Sequence, residues 1–304
     1  MFRRSLPLLT CALILAPAAS FASEGQFFDS NGVKIHYTVS GSGTPVLLIH
    51  GFAANMQMQW IGPGIVDALA KQYKVIAFDN RGHGASDKPH DPKQYGTEMV
   101  EDAIRLLDHL GVKKAHVIGY SMGAILTNKL ITMHPDRVLT ATLGGAAGLL
   151  EGSDTHRFEP LIESLEKEKS IAPLVVALTP PGKPKPSAEQ IKLINGLLMT
   201  SNDNLALAAV VRSWKDLLIP ESKLQANKVP TLAVIGSDDP LKKGVDELKV
   251  LMPSLKEVVI EDADHMTTFT KPEFLSTIQK FMADTAAKHK VKKRETAVPA
   301  KTGG

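Results

Sequence analysis

Cysteine is almost absent from this 304-residue chain, and the one that occurs, Cys11, lies in an apolar stretch near the N-terminus. Arg3 and Arg4 precede that stretch, and small residues follow it in "ASFASEG". A basic start, a short apolar core and small residues at the end are typical of a cleaved signal peptide, which we place at residues 1–22. The mature chain would then have no cysteine, which excludes a disulfide, a thiolate nucleophile and a cysteine metal site.

Long apolar runs are also lacking. The N-terminal stretch is interrupted by Pro7 and Pro17, whereas a membrane-spanning helix needs about 20 consecutive apolar residues. We therefore expect no stable membrane insertion, and we predict an exported protein, either periplasmic or secreted.

A basic folded surface is missing as well, although the formal net charge is +3. From Lys288 onward the chain has six Lys or Arg residues and one Glu, so removing this +5 and the two N-terminal arginines leaves −4 for the body. A nucleic-acid partner would require positive charge on the folded face, and we expect none. We predict that residues 285–304 are a basic disordered tail that aids solubility, in preference to a contact with an anionic surface.

Short apolar runs alternate along the chain with segments of helical periodicity. The runs are rich in β-branched residues and nearly continuous, as expected for strands covered on both faces. The sequence therefore predicts an α/β fold with a mostly parallel central sheet and helices on both faces. The predicted strands lie at 33–39, 45–50, 74–79, 115–120, 138–144, 230–236 and 256–262.

Residues 146–227 contain helical patches but no convincing buried strand. We interpret this segment as a helical cap inserted between two parts of one core, 25–145 and 228–284. An independent second domain is the alternative, but strands of the sheet resume directly after the segment.

The stretch "AHVIGYSMGA" places a lone serine between glycines where a predicted strand meets a predicted helix. Gly119, Ser121 and Gly123 form the pattern G-x-S-x-G, in which glycines permit a sharp turn and the serine is forced outward. The start of the following helix favours negative charge. Ser121 is therefore a candidate nucleophile.

A serine hydroxyl needs a base to accept its proton, and the base needs a group that orients it. His265 follows the last predicted strand, where such a base is expected. Asp238 and Asp239 follow the strand before it, and both remain candidates for the orienting acid. Met122 and Phe52, the latter after the small Gly51, could supply backbone N–H groups for an oxyanion hole.

The chain resembles the α/β-hydrolase superfamily, in particular its capped branch of serine esterases, enol-lactonases and cofactor-free haloperoxidases. The matching pieces are "HGF", "FDNRGHGAS", "GYSMGA", "GSDDP" and "DH", in the expected order between about residues 33 and 281. The resemblance implies that Ser121 is the nucleophile, His265 the base and Asp239 the acid, with Asp238 as the fallback. It also implies that Arg81 and His83 are structural.

Dehalogenases and epoxide hydrolases belong to the same superfamily but use a carboxylate nucleophile, so Ser121 argues against both. The epoxide branch also needs tyrosines in the cap, and the four tyrosines here all precede it. No clustered ligand spacing indicates a metal, and no cofactor is expected.

The function predicted from the sequence is cleavage of a small-molecule carboxylic ester or lactone through an acyl-serine. The alternatives are a non-catalytic binding protein on the same fold and a haloperoxidase-like or perhydrolase-like enzyme. Trp214 and Met56 are candidate substrate-binding residues, although packing of the cap or of a helix onto the sheet would explain them equally well. The sequence specifies no oligomeric state.

Overall fold

The computed structural model describes residues 25–296. The predicted signal peptide at 1–22 lies outside the described residues. In this part of the chain the strands are β1 (Gln26–Ser30), β2 (Val33–Ser40), β3 (Thr44–Ile49), β4 (Tyr73–Phe78), β5 (Ala115–Tyr120), β6 (Val138–Gly144), β7 (Leu149–Leu150), β8 (Leu218–Ile219), β9 (Thr231–Gly236) and β10 (Lys256–Ile260).

Eight strands form one sheet in the order β1-β2-β4-β3-β5-β6-β9-β10. The pairs β1–β2 and β2–β4 are antiparallel, and the pairs from β4 through β10 are parallel. The prediction of a mostly parallel sheet is confirmed. The antiparallel β1 is a strand that the sequence did not predict.

Helices cover both faces of the sheet. They are α1 (Ile65–Ala70), α2 (Thr97–His109), α3 (Met122–Met133), α4 (Glu159–Glu168), α5 (Ala172–Ala177), α6 (Ala188–Met199), α7 (Asn204–Arg212), α8 (Glu221–Gln225), α9 (Lys242–Leu251) and α10 (Pro272–Thr296). No described helix combines the length and the apolar character needed to span a bilayer.

The continuous apolar strands supply two separate cores. In β3, Leu47 and Ile49 join the cluster beneath α2, α3 and α9, whereas Val46 and Leu48 join the cluster beneath α1 and α10. Because side chains alternate between the two faces of a strand, only an unbroken apolar run can fill both cores.

The segment predicted as a cap, residues 146–227, lies between β6 and β9 and contains α4 to α8. It also contains β7 and β8, which pair as a separate parallel ribbon of two residues each. The expectation of a strand-free segment is therefore wrong in this detail. Two-residue strands leave no periodicity that a sequence pattern could reveal.

The last helix is longer than the sequence predicted. The sequence predicted a disordered tail from residue 285, but α10 continues to Thr296. The added turns consist largely of Ala, Lys, Arg and Glu, which have high intrinsic helix propensity. Residues 297–304 of the predicted tail lie outside the described residues.

Strand β5 carries a buried histidine that should make stability depend on pH. Burial lowers the pKa of His116 from 6.5 to about 4. Below pH 6.5 the unfolded chain takes up a proton that the folded chain resists, so folding stability falls as the pH drops from 6.5 towards 4. We expect His116→Gln to remove about 2 kcal/mol of the stability difference between pH 7 and pH 5.

Urea unfolding at the two pH values measures this difference. His156→Gln is the matched control, because His156 is exposed and should leave the difference as it is in the wild type. Equal pH dependence in the wild type and in both variants would contradict the prediction.

Candidate active site

Ser121 lies at the junction between β5 and α3. The strand ends at Tyr120 and the helix begins at Met122, which leaves Ser121 with φ 55° and ψ −118°. A residue other than glycine rarely adopts a positive φ, and such strained residues concentrate at functional sites. The Ser121 N–H donates a 2.8 Å hydrogen bond to Gly144 O, which ties the strained residue to β6.

The two glycines of the motif lie where backbone segments touch. A Cβ atom at Gly119 would be 2.0 Å from Gly123 O, and one at Gly123 would be 1.9 Å from Ile49 O. These neighbours are backbone atoms of packed elements, so they cannot move aside without distorting the sheet. The glycines therefore permit the sharp turn, as the sequence pattern predicted.

We expect Gly123→Ala to lower the free energy of unfolding by about 3 kcal/mol, because overpacking against the backbone forces shifts that the packed core resists. Gly196→Ala is the control: Gly196 lies in α6 with no atom within 4 Å of an added Cβ, and alanine there should stabilise the helix by about 1 kcal/mol. Urea denaturation measures both values. A Gly123→Ala protein as stable as the wild type would show that the turn tolerates a side chain.

The hydroxyl, imidazole and carboxylate predicted from the sequence lie in one hydrogen-bonded line. Ser121 Oγ is 2.9 Å from His265 Nε2, and His265 Nδ1 is 2.9 Å from Asp239 Oδ2. Asp239 follows β9 and His265 follows β10, which are neighbours in the sheet. Parallel strands bring their carboxyl ends to one edge, which explains how residues 144 positions apart meet. Asp239 and His265 are buried, whereas Ser121 is half-buried and can be reached.

The two acids that the sequence left open differ in the structure. Asp238 is exposed, and its Oδ1 accepts a 3.3 Å hydrogen bond from Ser237 Oγ. Asp239 accepts the Leu241 N–H at Oδ1 (2.9 Å) and faces His265 with Oδ2. A carboxylate there accepts a hydrogen bond from Nδ1–H, which leaves Nε2 free to take a proton from the serine.

Two backbone N–H groups border the serine. A Cβ atom at Gly51 would be 3.2 Å from Ser121 Cβ, so this backbone passes close to the hydroxyl, and Phe52 follows it directly. Met122 is the first residue of α3, where an N–H has no partner within the helix. Among the hydrogen bonds of residues 25–296, none uses the N–H of Phe52 or of Met122. Both candidates for the oxyanion hole are thus unpaired donors beside Ser121.

Gln59 holds the loop that carries Gly51 and Phe52. The Gly51 N–H donates to Gln59 Oε1 (2.9 Å), and Gln59 is buried on a π-helical turn at Gln57–Ile61. Short π-helical turns are frequent at functional sites. Sequence reasoning missed this residue; the signal was a glutamine within a run of large apolar side chains, "MQMQW".

Residues after β4 also hold the loop that carries Gly51 and Phe52. Asn80 donates its N–H to His50 Nε2 (2.9 Å) and its side-chain Nδ2–H to His50 O (3.2 Å). Burial lowers the pKa of His50, so Nε2 remains an acceptor. The Asp79 carboxylate accepts the N–H groups of Met56 and Ala85, each at 2.9 Å.

Arg81 and His83 make contacts that stabilise the fold. Arg81 donates to both carboxylate oxygens of buried Asp102, each at 2.6 Å. His83 Nδ1 lies 3.0 Å from Arg81 O, and burial lowers the pKa of His83 to about 3, so the ring is neutral.

Comparison with known proteins bears on the fold that carries these residues. The family model described as the alpha/beta hydrolase fold matches residues 44–176, from β3 into α5. The enol-lactonase from Burkholderia xenovorans superimposes with a TM-score of 0.71 over 85% of this chain and 100% of that chain, at 22% identity. Together these matches show that the chain has the α/β-hydrolase fold.

Two curated relatives are similar in sequence to this chain. The 2-hydroxy-6-oxo-6-(2'-aminophenyl)hexa-2,4-dienoic acid hydrolase of Metapseudomonas resinovorans is 29% identical over 70% of this chain and 74% of its own length. The dihydrolipoyllysine-residue acetyltransferase component of the acetoin cleaving system of Cupriavidus necator is 32% identical over 52% of this chain. The match spans only 41% of that second relative's length.

The two predicted substrate-binding residues lie in different places. Trp214 packs edge-on against Phe52 (ring centroids 5.4 Å apart) and against Phe158 (4.7 Å), so it joins the cap to the loop beside Ser121. Met56 is buried in the core beneath α1, and its sulfur accepts a 3.8 Å contact from Thr38 Oγ1. Its burial there fits the alternative that the sequence left open, in which Met56 packs a helix against the sheet.

The acidic residue next to His265 serves the loop. The Asp264 carboxylate accepts the N–H groups of Met266 (3.0 Å) and Thr267 (2.9 Å) and the Thr267 hydroxyl (2.7 Å). Asp264 thus shapes the turn that presents the imidazole. Within residues 25–296, no group of three His, Cys, Asp or Glu side chains is arranged to hold a metal ion.

Proposed function

We propose that this protein is an exported serine hydrolase that cleaves a carboxylic ester or lactone through an acyl-serine intermediate. The observation that carries the proposal is the unbroken line of 2.9 Å contacts from Ser121 Oγ through His265 to Asp239. A serine held in this line, beside two unpaired N–H donors, has what acyl transfer requires.

In the proposed reaction, Ser121 Oγ attacks the carbonyl carbon while His265 Nε2 takes the hydroxyl proton. Asp239 holds the imidazole in the required orientation and stabilises its protonated form. His265 then gives the proton to the departing alcohol oxygen as the acyl–oxygen bond breaks. Water attacks the acyl-serine by the same relay, which releases the acid and restores the hydroxyl.

The negative charge that develops on the carbonyl oxygen needs fixed donors. We assign this task to the N–H groups of Phe52 and Met122. Gln59 and the His50–Asn80 pair keep the Phe52 loop in place before substrate arrives, so the donors need not reorganise during the reaction.

An apolar acyl group suits the surroundings of the serine. Phe52, Trp214 and Phe158 pack edge to face and form an apolar wall on the loop whose Gly51 passes close to Ser121. Each methylene moved from water into such a wall is worth about 0.8 kcal/mol. The proposal therefore favours acyl groups longer than acetyl.

Export rests on the N-terminal sequence. Arg3 and Arg4, the short apolar stretch and the small residues after it are typical of a signal peptide. A mature chain without cysteine is also compatible with an oxidising compartment.

Hydrolysis of p-nitrophenyl esters from acetyl to decanoyl, and of a simple γ-lactone, tests the proposal. We expect kcat/KM to rise about tenfold from acetyl to butanoyl, since two methylenes are added, with the Ser121→Ala protein as the blank. A flat series at the level of the blank, with no lactone opening, would contradict hydrolysis of these bonds and favour a binding protein on the same fold.

A further inference from the structure

Tyr120, the residue before the serine, is joined to the loop that carries the histidine. Its side chain is 2% exposed. Its hydroxyl donates a 2.6 Å hydrogen bond to the backbone carbonyl oxygen of His265, a residue 145 positions later in the chain. The end of β5 therefore contacts both ends of the hydroxyl–imidazole pair: the serine through the peptide bond and the histidine through this hydrogen bond.

The tyrosine ring fills a space in which a side chain at Gly144 or Gly145 would not fit. A Cβ atom at Gly144 or at Gly145 would lie 2.7 Å from ring atoms of Tyr120. The ring packs against Phe269 (5.1 Å between centroids) and Phe274 (5.8 Å), and against the His265 imidazole (5.5 Å). The ring therefore has little freedom to move, and its hydroxyl is held in one position.

The other hydrogen bonds of the loop that carries His265 have different partners from the one made by Tyr120. The Asp264 carboxylate fixes residues 264–267 to one another. The Asp238 N–H donates to Ala263 O (3.0 Å), which ties the loop to the turn that carries Asp239. The Tyr120 hydroxyl instead ties the loop to the serine strand, at the histidine itself. Burial raises the pKa of Tyr120 well above 10, so the hydroxyl is protonated and able to donate at neutral pH.

We propose that Tyr120 is a positioning residue that sets the distance and angle between His265 Nε2 and Ser121 Oγ. This inference rests on the proposed acyl-serine function, because the imidazole must be aimed at the hydroxyl for proton transfer. Small displacements of a catalytic group have large kinetic effects, since a shift of about 1 Å can cost up to 10²-fold in rate.

Tyr120→Phe tests the proposal, because it removes the hydroxyl and keeps the ring. Tyr95→Phe is the matched control. Tyr95 is equally buried, and its hydroxyl donates a 2.5 Å hydrogen bond to Pro89 O, but Pro89 belongs to neither the relay nor the oxyanion loop. Both variants lose one buried hydrogen bond to a carbonyl, so a purely structural effect should be similar in the two.

With p-nitrophenyl butanoate, we expect Tyr120→Phe to lower kcat about tenfold with little change in KM, and Tyr95→Phe to retain wild-type kcat. The melting temperatures of the two variants should fall by similar amounts. The same kcat and KM in both variants, or a loss of kcat that follows melting temperature alone, would overturn the inference.

Proton NMR supplies a readout that does not depend on turnover. The His265 Nδ1–H shared with Asp239 should give a downfield resonance, and we expect Tyr120→Phe, but not Tyr95→Phe, to shift or broaden it. If the wild type hydrolyses no ester, the proposed function fails, and the resonance still decides whether Tyr120 positions the imidazole. An unchanged resonance in Tyr120→Phe would overturn the inference in that case.

Discussion

Replacing Ser121 with alanine should lower kcat for p-nitrophenyl butanoate by about a million-fold, to near the rate of the oxyanion hole and binding alone. The reason is that, within the part of the chain that the structure describes, Ser121 Oγ is the hydroxyl hydrogen-bonded to His265 Nε2, at 2.9 Å. KM should change little, because the apolar wall and the N–H donors remain. Initial rates over a range of substrate concentrations measure both constants.

Ser276→Ala is the matched control for this loss. Ser276 lies exposed on α10, where its hydroxyl donates only to Glu273 O, so its removal should leave kcat unchanged. Melting temperatures of both variants within a few degrees of the wild type would exclude unfolding as the cause. Residual Ser121→Ala activity above a hundredth of the wild-type rate would require a different nucleophile.

Exchanging Asp239 for asparagine should lower kcat about ten-thousand-fold, because an amide cannot hold the imidazole in the tautomer that leaves Nε2 unprotonated. The adjacent Asp238→Asn removes one carboxylate from the same turn but leaves the 2.9 Å contact between Asp239 and His265 intact. We expect Asp238→Asn to retain kcat within about twofold, since its carboxylate is exposed and bonds only to Ser237.

The ratio of the kcat values of the two variants shows which acid orients His265. Steady-state kinetics of both variants at the same fixed pH measure it. Comparable losses in the two variants would mean that the acids substitute for each other. A larger loss in Asp238→Asn would contradict the geometry.

Much of the sheet could be predicted because both of its faces are buried. Strands such as β3 and β5 are apolar at nearly every position because they fill two cores, and this leaves a nearly continuous apolar signal in the sequence. The antiparallel edge strand β1 has only a mixed pattern, "QFFDS", and a short edge strand needs fewer apolar positions. This is why it went unpredicted.

The line of Ser121, His265 and Asp239 could be anticipated because each residue follows a parallel strand of the sheet, and parallel strands end at one edge. The choice between Asp238 and Asp239 could not be made from the residues alone. Adjacent positions on a turn point in different directions, and only the folded backbone decides which one faces the imidazole.

Individual side-chain hydrogen bonds across the fold could not be predicted from the sequence. The Tyr120 hydroxyl meets the His265 carbonyl, and Gln59 Oε1 meets the Gly51 N–H. A buried tyrosine or glutamine gives no periodic signal that identifies its partner. The sequence also left the role of Met56 open, since a methionine packed beneath a helix and one that contacts substrate are indistinguishable in sequence.

The central claim is that Ser121 forms a covalent acyl intermediate, and reaction with a fluorophosphonate tests it most directly. Intact-mass spectrometry of the protein after incubation should show one adduct per chain, and peptide mapping should place it on Ser121, with none on the Asp239→Asn protein over the same interval. An adduct on another residue, or no adduct on a folded wild-type protein, would contradict the account.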